Sequence, residues 1–199
     1  WAYKQRGGAQ RARAGEERSF PMRLLAVLDA ALADYKNRPA LVAMLNDVMT
    51  KTVKYQDKKT GLWYDVMDVK DNRNYFEATA SSMFSYVLLK GSRLGYFGDE
   101  LKEAGIKAYK GILNNFVKVN SDKTLSLTRC CEVSGLGPGL SAKVLKAAPK
   151  VKENKRRDGS FEYYISEPIR DNDGKGVGPF IWASLEMEHL GYDVESLNK

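Results

Sequence analysis

The sequence predicts an all-α protein built from helical hairpins, with one short β-hairpin-like insertion. Apolar residues recur at three- and four-residue steps in several separate segments, which is typical of amphipathic helices. Short links join some of these segments, and long loops rich in turn residues separate the pairs. When such hairpins stand side by side, every long loop emerges at the same edge. That edge is where we expect a binding site.

The first two helices form the first predicted hairpin. The first runs from Met22 to about Tyr35, and the second from Pro39 to about Tyr55, since proline suits the first turn of a helix. Their apolar positions follow the helical period: Leu24, Leu25, Val27, Leu28, Leu32, Leu41, Met44, Leu45, Val48, Met49 and Val53. Because only a few residues link them, the two helices are expected to be antiparallel.

The second predicted hairpin follows the long loop 57–76. Its first helix, at 77–90, carries many small side chains, namely Ala78, Ala80, Ser81, Ser82 and Ser85. Small side chains let neighbouring helices approach closely, so this helix is expected on the inside of the assembly. Glycines then bracket a short link, and Leu101, Ala104, Ala108, Ile112 and Phe116 indicate a fourth helix.

The segment 118–177 is the longest interruption and is too long for an idle loop in a compact domain. Thr124–Thr128 alternates apolar and polar residues, and Phe161–Ile165 is aromatic and β-branched, which favours a short pairing of strands. Leu140–Ala148 is consistent with one or two helical turns. The last helix is predicted from Pro179 to Leu190, with Phe180, Ile181, Leu185 and Met187 as its apolar positions.

Composition is that of an ordinary globular protein. The 199 residues, 43% hydrophobic and 29% charged, suit one domain. No apolar run approaches the roughly 20 residues that span a bilayer, so no membrane partner is expected. No charged-then-apolar leader is visible after Trp1. The compartment stays open between cytoplasm and periplasm.

The positive charge is concentrated at one end. Residues 1–23 hold six basic and two acidic residues, more than half of the net charge of +7. Residues 1–20 are expected to form an irregular basic arm, solvated rather than bound to nucleic acid, and 21–199 to form the folded domain. The mildly basic remainder would also suit a uronic-acid polymer.

Neither a metal nor another cofactor is expected. Cys130 and Cys131 are adjacent, a spacing that rarely reaches disulfide geometry without strain. Two cysteines and one histidine without spaced partners do not form a zinc site. We therefore expect two packed thiols at a turn.

Two blocks of sequence resemble a known family. "GLWYDVMD" followed by "NYFEATASSM", and "CCEVSGLGPG" followed by "RDGSFEYYISEPIRDNDGKGVGPFIWASLEME", are similar to the unsaturated glucuronyl and rhamnogalacturonyl hydrolases, most closely glycoside hydrolase family 105. The resemblance runs from about Met22 to about Tyr192. It implies an (α/α)6 toroid of twelve helices. The five or six helices predicted here would be a partial toroid, the C-terminal half of that domain.

The resemblance also implies a reaction. Family members hydrolyse a 4,5-unsaturated uronic acid at the end of an oligosaccharide such as a pectin or rhamnogalacturonan lyase product. An Asp protonates the C4=C5 bond and assists the addition of water. That Asp lies in the family's N-terminal half and has no matching segment here, so the catalytic residue is unknown. The alternative is an inactive carbohydrate-binding or self-assembling half-toroid, a homo-oligomer that covers its exposed apolar helices.

Four residues are predicted to contact substrate: Trp63, Tyr64, Glu77 and Lys175. The aromatic residues of the 57–76 loop could stack on a sugar, although Trp63 could equally anchor that loop to the core. Glu77 could touch substrate or cap the helix that it precedes. Lys175, between two glycines, could meet a uronate carboxylate or remain solvated.

Other carboxylates lie near these positions. Asp65 and Asp68 follow Trp63 closely, and Asp171 and Asp173 precede the glycine-rich stretch. The last two are most simply turn formers, because their spacing does not follow the twelve-residue calcium loop.

Overall fold

The computed structural model describes residues 19–30, 34–136 and 157–193 of the chain. The helices are α1 Ser19–Ala30, α2 Arg38–Val53, α3 Ala78–Arg93, α4 Asp99–Asn115, α5 Phe161–Ser166 and α6 Gly174–His189. The strands are β1 Val117–Val119, β2 Leu125–Leu127, β3 Cys130–Cys131 and β4 Ile169–Arg170. None of the described helices has the length and apolar character that crossing a membrane requires.

The long helices form two layers, with α1, α3 and α6 in one and α2 and α4 in the other. Helices α3 and α6 run in the same direction. Their first turns meet where Gly176 lies beside Thr79, and their last turns are joined by a salt bridge of 2.6 Å between Arg93 Nε and Glu186 Oε2. Helix α1 runs the same way, because Asp29 near its end pairs with Lys90 near the end of α3.

Helix α3 is the centre of the fold and is buried along almost all of its length. Its small side chains allow the close packing that the sequence predicts. The hydroxyl of Ser85 donates a hydrogen bond of 3.2 Å to the backbone oxygen of Gly105 in α4, where an added Cβ would meet Leu88 at 2.8 Å. The expectation that this helix lies on the inside is confirmed.

The apolar core between α1, α2, α3 and α4 contains the residues that the helical period selected. Leu24, Leu25, Leu28, Leu45, Met49, Leu101, Ala104 and Ala108 are all buried there. At roughly 25 cal/mol for each Å² of apolar surface removed from water, burial of this kind is the main favourable contribution to the stability of the fold. Other positions selected in the same way are exposed, namely Val27, Met44, Ile181 and Leu185, so periodicity predicted the buried side of the long helices only in part.

Two predicted elements differ from the structure. Phe161–Ile165 was expected to be a strand, but residues Phe161–Ser166 form helix α5, which Ser160 caps by accepting a hydrogen bond of 3.1 Å from the backbone N–H of Tyr163. The hairpin forms instead between β1 and β2, with Lys118 opposite Ser126. A second two-residue ladder joins β3 to β4.

The remaining differences concern boundaries. Helix α6 begins at Gly174, five residues before the predicted start, because Asp173 caps it. Of the arm predicted at 1–20, residues 19 and 20 belong to α1, and the rest lies outside the described residues, as does the turn predicted at 140–148.

Candidate functional site

The long connections meet at one end of the helical layers, around the first turns of α3 and α6. We call this surface the loop rim and define it as residues 62–66, 74–77, 127–132 and 169–175. The backbone N–H of Trp63 donates to Ser81 in α3, and Gly176 in α6 packs against Thr79 and Cys130. The predicted gathering of the long loops at one edge is confirmed.

Glu77 is the residue that holds the loop rim to α3. Its side chain is fully buried, and its carboxylate accepts hydrogen bonds from the backbone N–H groups of Thr79 (2.9 Å), Ala80 (2.5 Å) and Cys131 (2.9 Å). The first two satisfy the open end of the helix, and the third fixes β3 against it. Of the two predicted roles, the structure therefore shows the capping role, and it leaves Glu77 no surface for a substrate.

Trp63 is part of the core and not of the surface. Its side chain has no exposed area, its ring meets that of Phe84 edge-on with centroids 5.2 Å apart, and Nε1 donates a hydrogen bond of 2.8 Å to the backbone oxygen of Thr52. A ring enclosed on both faces cannot stack on a sugar. The predicted stacking role of Trp63 is thus corrected to the anchoring role, which was the alternative.

Tyr64 is half-buried. It forms an isolated antiparallel bridge with Phe76, and the centroids of the two rings are 4.2 Å apart with an angle of 33° between their planes. This pair fixes the orientation of the Tyr64 ring. Tyr64 remains a candidate for contact with substrate.

Lys175 lies in the first turn of α6 and is exposed. Its ammonium lies 2.6 Å from Oδ1 of Asp173, the buried carboxylate that caps α6 and also accepts from the backbone N–H of Lys175 at 2.9 Å. Burial opposes ionisation of Asp173, but these hydrogen bonds and the charges of Lys175 and Arg170 outweigh it and hold the pKa of Asp173 below its usual value. Lys175 is therefore a positioned cation that still faces solvent.

A second aromatic ring at the loop rim, that of Tyr75, was not selected from the sequence. It is 8% exposed, and the exposed guanidinium of Arg129 lies over it, 5.7 Å from its centroid. Burial raises the pKa of the Tyr75 hydroxyl, and the nearby carboxylates of Asp65 and Glu77 raise it further, so the phenol stays protonated. No sequence pattern predicts the contact between Tyr75 and Arg129, because the two residues meet only through the packing of β3 on α3.

Both cysteines of the chain lie at this site, side by side in β3. Both cysteines are free and buried, and burial raises the pKa of Cys130 to about 11, which keeps its thiol protonated and unreactive. No group of three or more His, Cys, Asp or Glu side chains within 19–30, 34–136 and 157–193 is arranged to hold a metal ion. The loop rim therefore offers the aromatic residue Tyr64, the exposed Arg129 and Lys175, and the buried carboxylates of Asp65, Glu77 and Asp173.

Comparison with known proteins gives a consistent picture. The family model for Glycosyl Hydrolase Family 88 matches residues 21–191. Protein Atu3128 of Agrobacterium fabrum and the 24.9 kDa protein in picA locus of Rhizobium radiobacter are each 35% identical over 133 residues, which is 64% of this chain and 52% of theirs. The chain thus spans about half the length of the curated relatives that it matches.

Solved structures are likewise similar to this chain over about half of their own length. A glycoside hydrolase from family 105 of C. acetobutylicum superimposes with a TM-score of 0.80 at 38% identity, over 95% of this chain and 49% of that one. A possible member of the GH105 family from Salmonella enterica matches at 20% identity with a TM-score of 0.69, over 96% of this chain and 44% of that one, and supports the fold alone. The predicted all-α fold of the (α/α)6 toroid family is confirmed.

Proposed function

This chain belongs to Glycosyl Hydrolase Family 88, and on that premise we propose that it acts on oligosaccharides that end in an unsaturated uronic acid, such as the products of pectin or rhamnogalacturonan lyases. The observation that carries the proposal is the 38% identity to a family 105 glycoside hydrolase across 95% of this chain. The loop rim adds chemical support, because its exposed cations complement a uronate and the half-buried Tyr64 offers an aromatic ring for a sugar.

The proposed reaction adds water across the C4=C5 bond, which makes an unstable hemiketal that opens and releases the neighbouring sugar. A carboxyl group that donates the proton must hold it near neutral pH. Glu77 is committed to three backbone N–H groups, and the lowered pKa of Asp173 keeps it ionised. We therefore assign substrate binding to Tyr64 and Lys175 and leave the catalytic acid unassigned.

An assay with an unsaturated uronyl disaccharide tests this function. Hydration removes the conjugated double bond, so turnover is followed as loss of the substrate's ultraviolet absorbance, and binding is measured by calorimetry. Lys175→Gln is expected to weaken binding about tenfold, because a hydrogen bond to a charged group contributes about 1.5–3 kcal/mol.

The matched control is Lys36→Gln, at an exposed position outside the loop rim. It should bind the disaccharide as the unmodified protein does. Absence of both turnover and binding with every unsaturated uronyl disaccharide tested would contradict the proposed function.

A second candidate function, a non-catalytic carbohydrate-binding protein that self-associates, has one observation in its favour. Helix α6 exposes three large apolar side chains close together, Ile181, Trp182 and Leu185, which are 52%, 48% and 45% exposed. Neighbouring apolar residues on one helix typically mark a contact surface. We propose that a second copy of this chain covers them.

Sedimentation over a range of protein concentrations tests this association. The protein is expected to form a dimer that the double substitution Ile181→Lys and Leu185→Lys weakens at least tenfold, because both copies would bring charges into an apolar contact. Val119→Lys serves as the control, since Val119 is 68% exposed and belongs to β1 rather than to α6. A monomer at all concentrations would exclude the dimer.

A further inference from the structure

Arg129 has an unusual backbone conformation for its residue type. Its φ angle is +63°, in the left-handed region that glycine and asparagine favour, and a non-glycine residue there costs about 1–2 kcal/mol. Neighbouring contacts impose this conformation. The backbone oxygen of Arg129 accepts from the N–H of Ala78 at 3.1 Å, and the next two residues form strand β3, which Glu77 holds. Such conformations are concentrated at functional sites.

The side chain of Arg129 is exposed and differs in its pairing from other arginines of the fold. Arg73, Arg93 and Arg170 each form a salt bridge with a carboxylate, namely Asp71, Glu186 and Glu132. Within the described part of the chain, Arg129 contacts the ring of Tyr75 and forms no salt bridge. Its N–H groups are consequently open to an anion from solution.

The Tyr75 ring gives the guanidinium a fixed support. That ring is 8% exposed, and the guanidinium lies over it, 5.7 Å from its centroid. This attraction favours one position of the guanidinium and so lowers the conformational cost of binding. A planar guanidinium held in this way can receive both oxygens of a carboxylate through two parallel hydrogen bonds. Lys175, by contrast, has its ammonium against Asp173.

We propose that Arg129, supported by Tyr75, is a binding residue that recognises the carboxylate of a uronic acid at the loop rim. The inference rests on the proposed function, because it takes the uronyl oligosaccharide as the ligand. It adds a residue that selects the charged sugar over its neutral ester. Arg129 combines a left-handed backbone with a guanidinium over Tyr75, as expected where a strained conformation serves a binding site.

The test is calorimetric titration of the full chain with an unsaturated uronyl disaccharide and with its methyl ester. Arg129→Gln is expected to weaken binding of the free acid about tenfold or more and to leave binding of the ester within about twofold, because only the acid can accept two charged hydrogen bonds. Arg129→Lys should restore part of the loss. Arg73→Gln is the matched control, because Arg73 is also exposed over a ring, that of Phe161, but is paired with Asp71.

A second variant separates binding from folding. Arg129→Gly relieves the left-handed strain, so its Tm should equal or exceed that of the unmodified protein while its binding of the acid falls as in Arg129→Gln. Unchanged binding of the acid by both variants would overturn this inference and leave the proposed function standing. No binding of the acid by the unmodified protein would overturn both.

Discussion

Replacing Trp63 with alanine is expected to lower the free energy of unfolding by about 3–5 kcal/mol, as the loss of a large buried aromatic side chain typically does. The ring has no exposed area and meets Phe84 edge-on, and its Nε1 satisfies the backbone oxygen of Thr52. The alanine variant leaves a cavity between α2 and α3, and the Thr52 oxygen keeps its hydrogen bond of 3.1 Å from the backbone N–H of Tyr55. Denaturation in urea, followed by circular dichroism, measures the change.

Two further variants show how much of this loss of stability comes from the hydrogen bond and how much from the buried ring. Trp63→Phe keeps most of the apolar volume but cannot donate to Thr52, whose oxygen still accepts from the backbone N–H of Tyr55. It should therefore cost about 0.5–1.5 kcal/mol, the net contribution of one hydrogen bond. Tyr55→Ala, at an exposed aromatic residue just after α2, should change stability by less than about 1 kcal/mol. If Trp63→Ala were as mild as Tyr55→Ala, the anchoring role would be wrong.

Hydrophobic periodicity was sufficient for the four helices of the two hairpins, because each buries one side in the core that it shares with its neighbours. The small residues of α3 were equally informative. Ser81 accepts a hydrogen bond from the backbone N–H of Trp63, and Ser85 donates one to the backbone oxygen of Gly105. Larger side chains would prevent both contacts. These properties depend on local spacing and side-chain volume, and both can be read from a single sequence.

The predicted strand at Phe161–Ile165 failed because propensity and packing disagreed. Aromatic and β-branched residues favour strands, but Ser160 caps a helical turn here, and Phe161, Tyr163 and Tyr164 bury their rings against Val66. One helical turn brings these three rings together, whereas a strand would place neighbouring rings on opposite sides. The partner, Val66, lies almost a hundred residues earlier, so the local sequence could not reveal it.

The candidate site shows the same limit. The sequence predicts that Trp63 and Tyr64 lie on one loop, but it does not predict which of the two rings turns inward. The partner that decides this is the backbone oxygen of Thr52 at the end of α2. Likewise, nothing in the order of residues predicts the left-handed backbone of Arg129, which is imposed by its contact with Ala78. Backbone groups supply both constraints, and backbone groups carry no sequence signal.

Glu77→Ala is expected to lower the free energy of unfolding by about 3–5 kcal/mol and to weaken uronate binding by up to about tenfold. The substitution leaves three buried backbone N–H groups without an acceptor, and each such group costs about 1–3 kcal/mol, partly relieved where water enters. Because one of them belongs to Cys131, β3 also loses a hydrogen bond to α3. Arg129 keeps its hydrogen bond with Ala78 but is held less firmly over Tyr75. Urea denaturation and calorimetric titration with the disaccharide measure the two effects.

Glu77→Gln removes the charge of the carboxylate but keeps the size and shape of the side chain. The amide keeps one oxygen that can accept, so one or two of the three hydrogen bonds persist, and the loss of stability should be about 1–2 kcal/mol with binding weakened but measurable. Ser160→Ala is the comparison, since it removes a cap with a single hydrogen bond from the short helix α5 and should cost about 1 kcal/mol without affecting binding. A Glu77→Ala variant with the stability of Ser160→Ala would mean that the carboxylate does not hold β3 and α3 together, and the orientation of Arg129 would then need another cause.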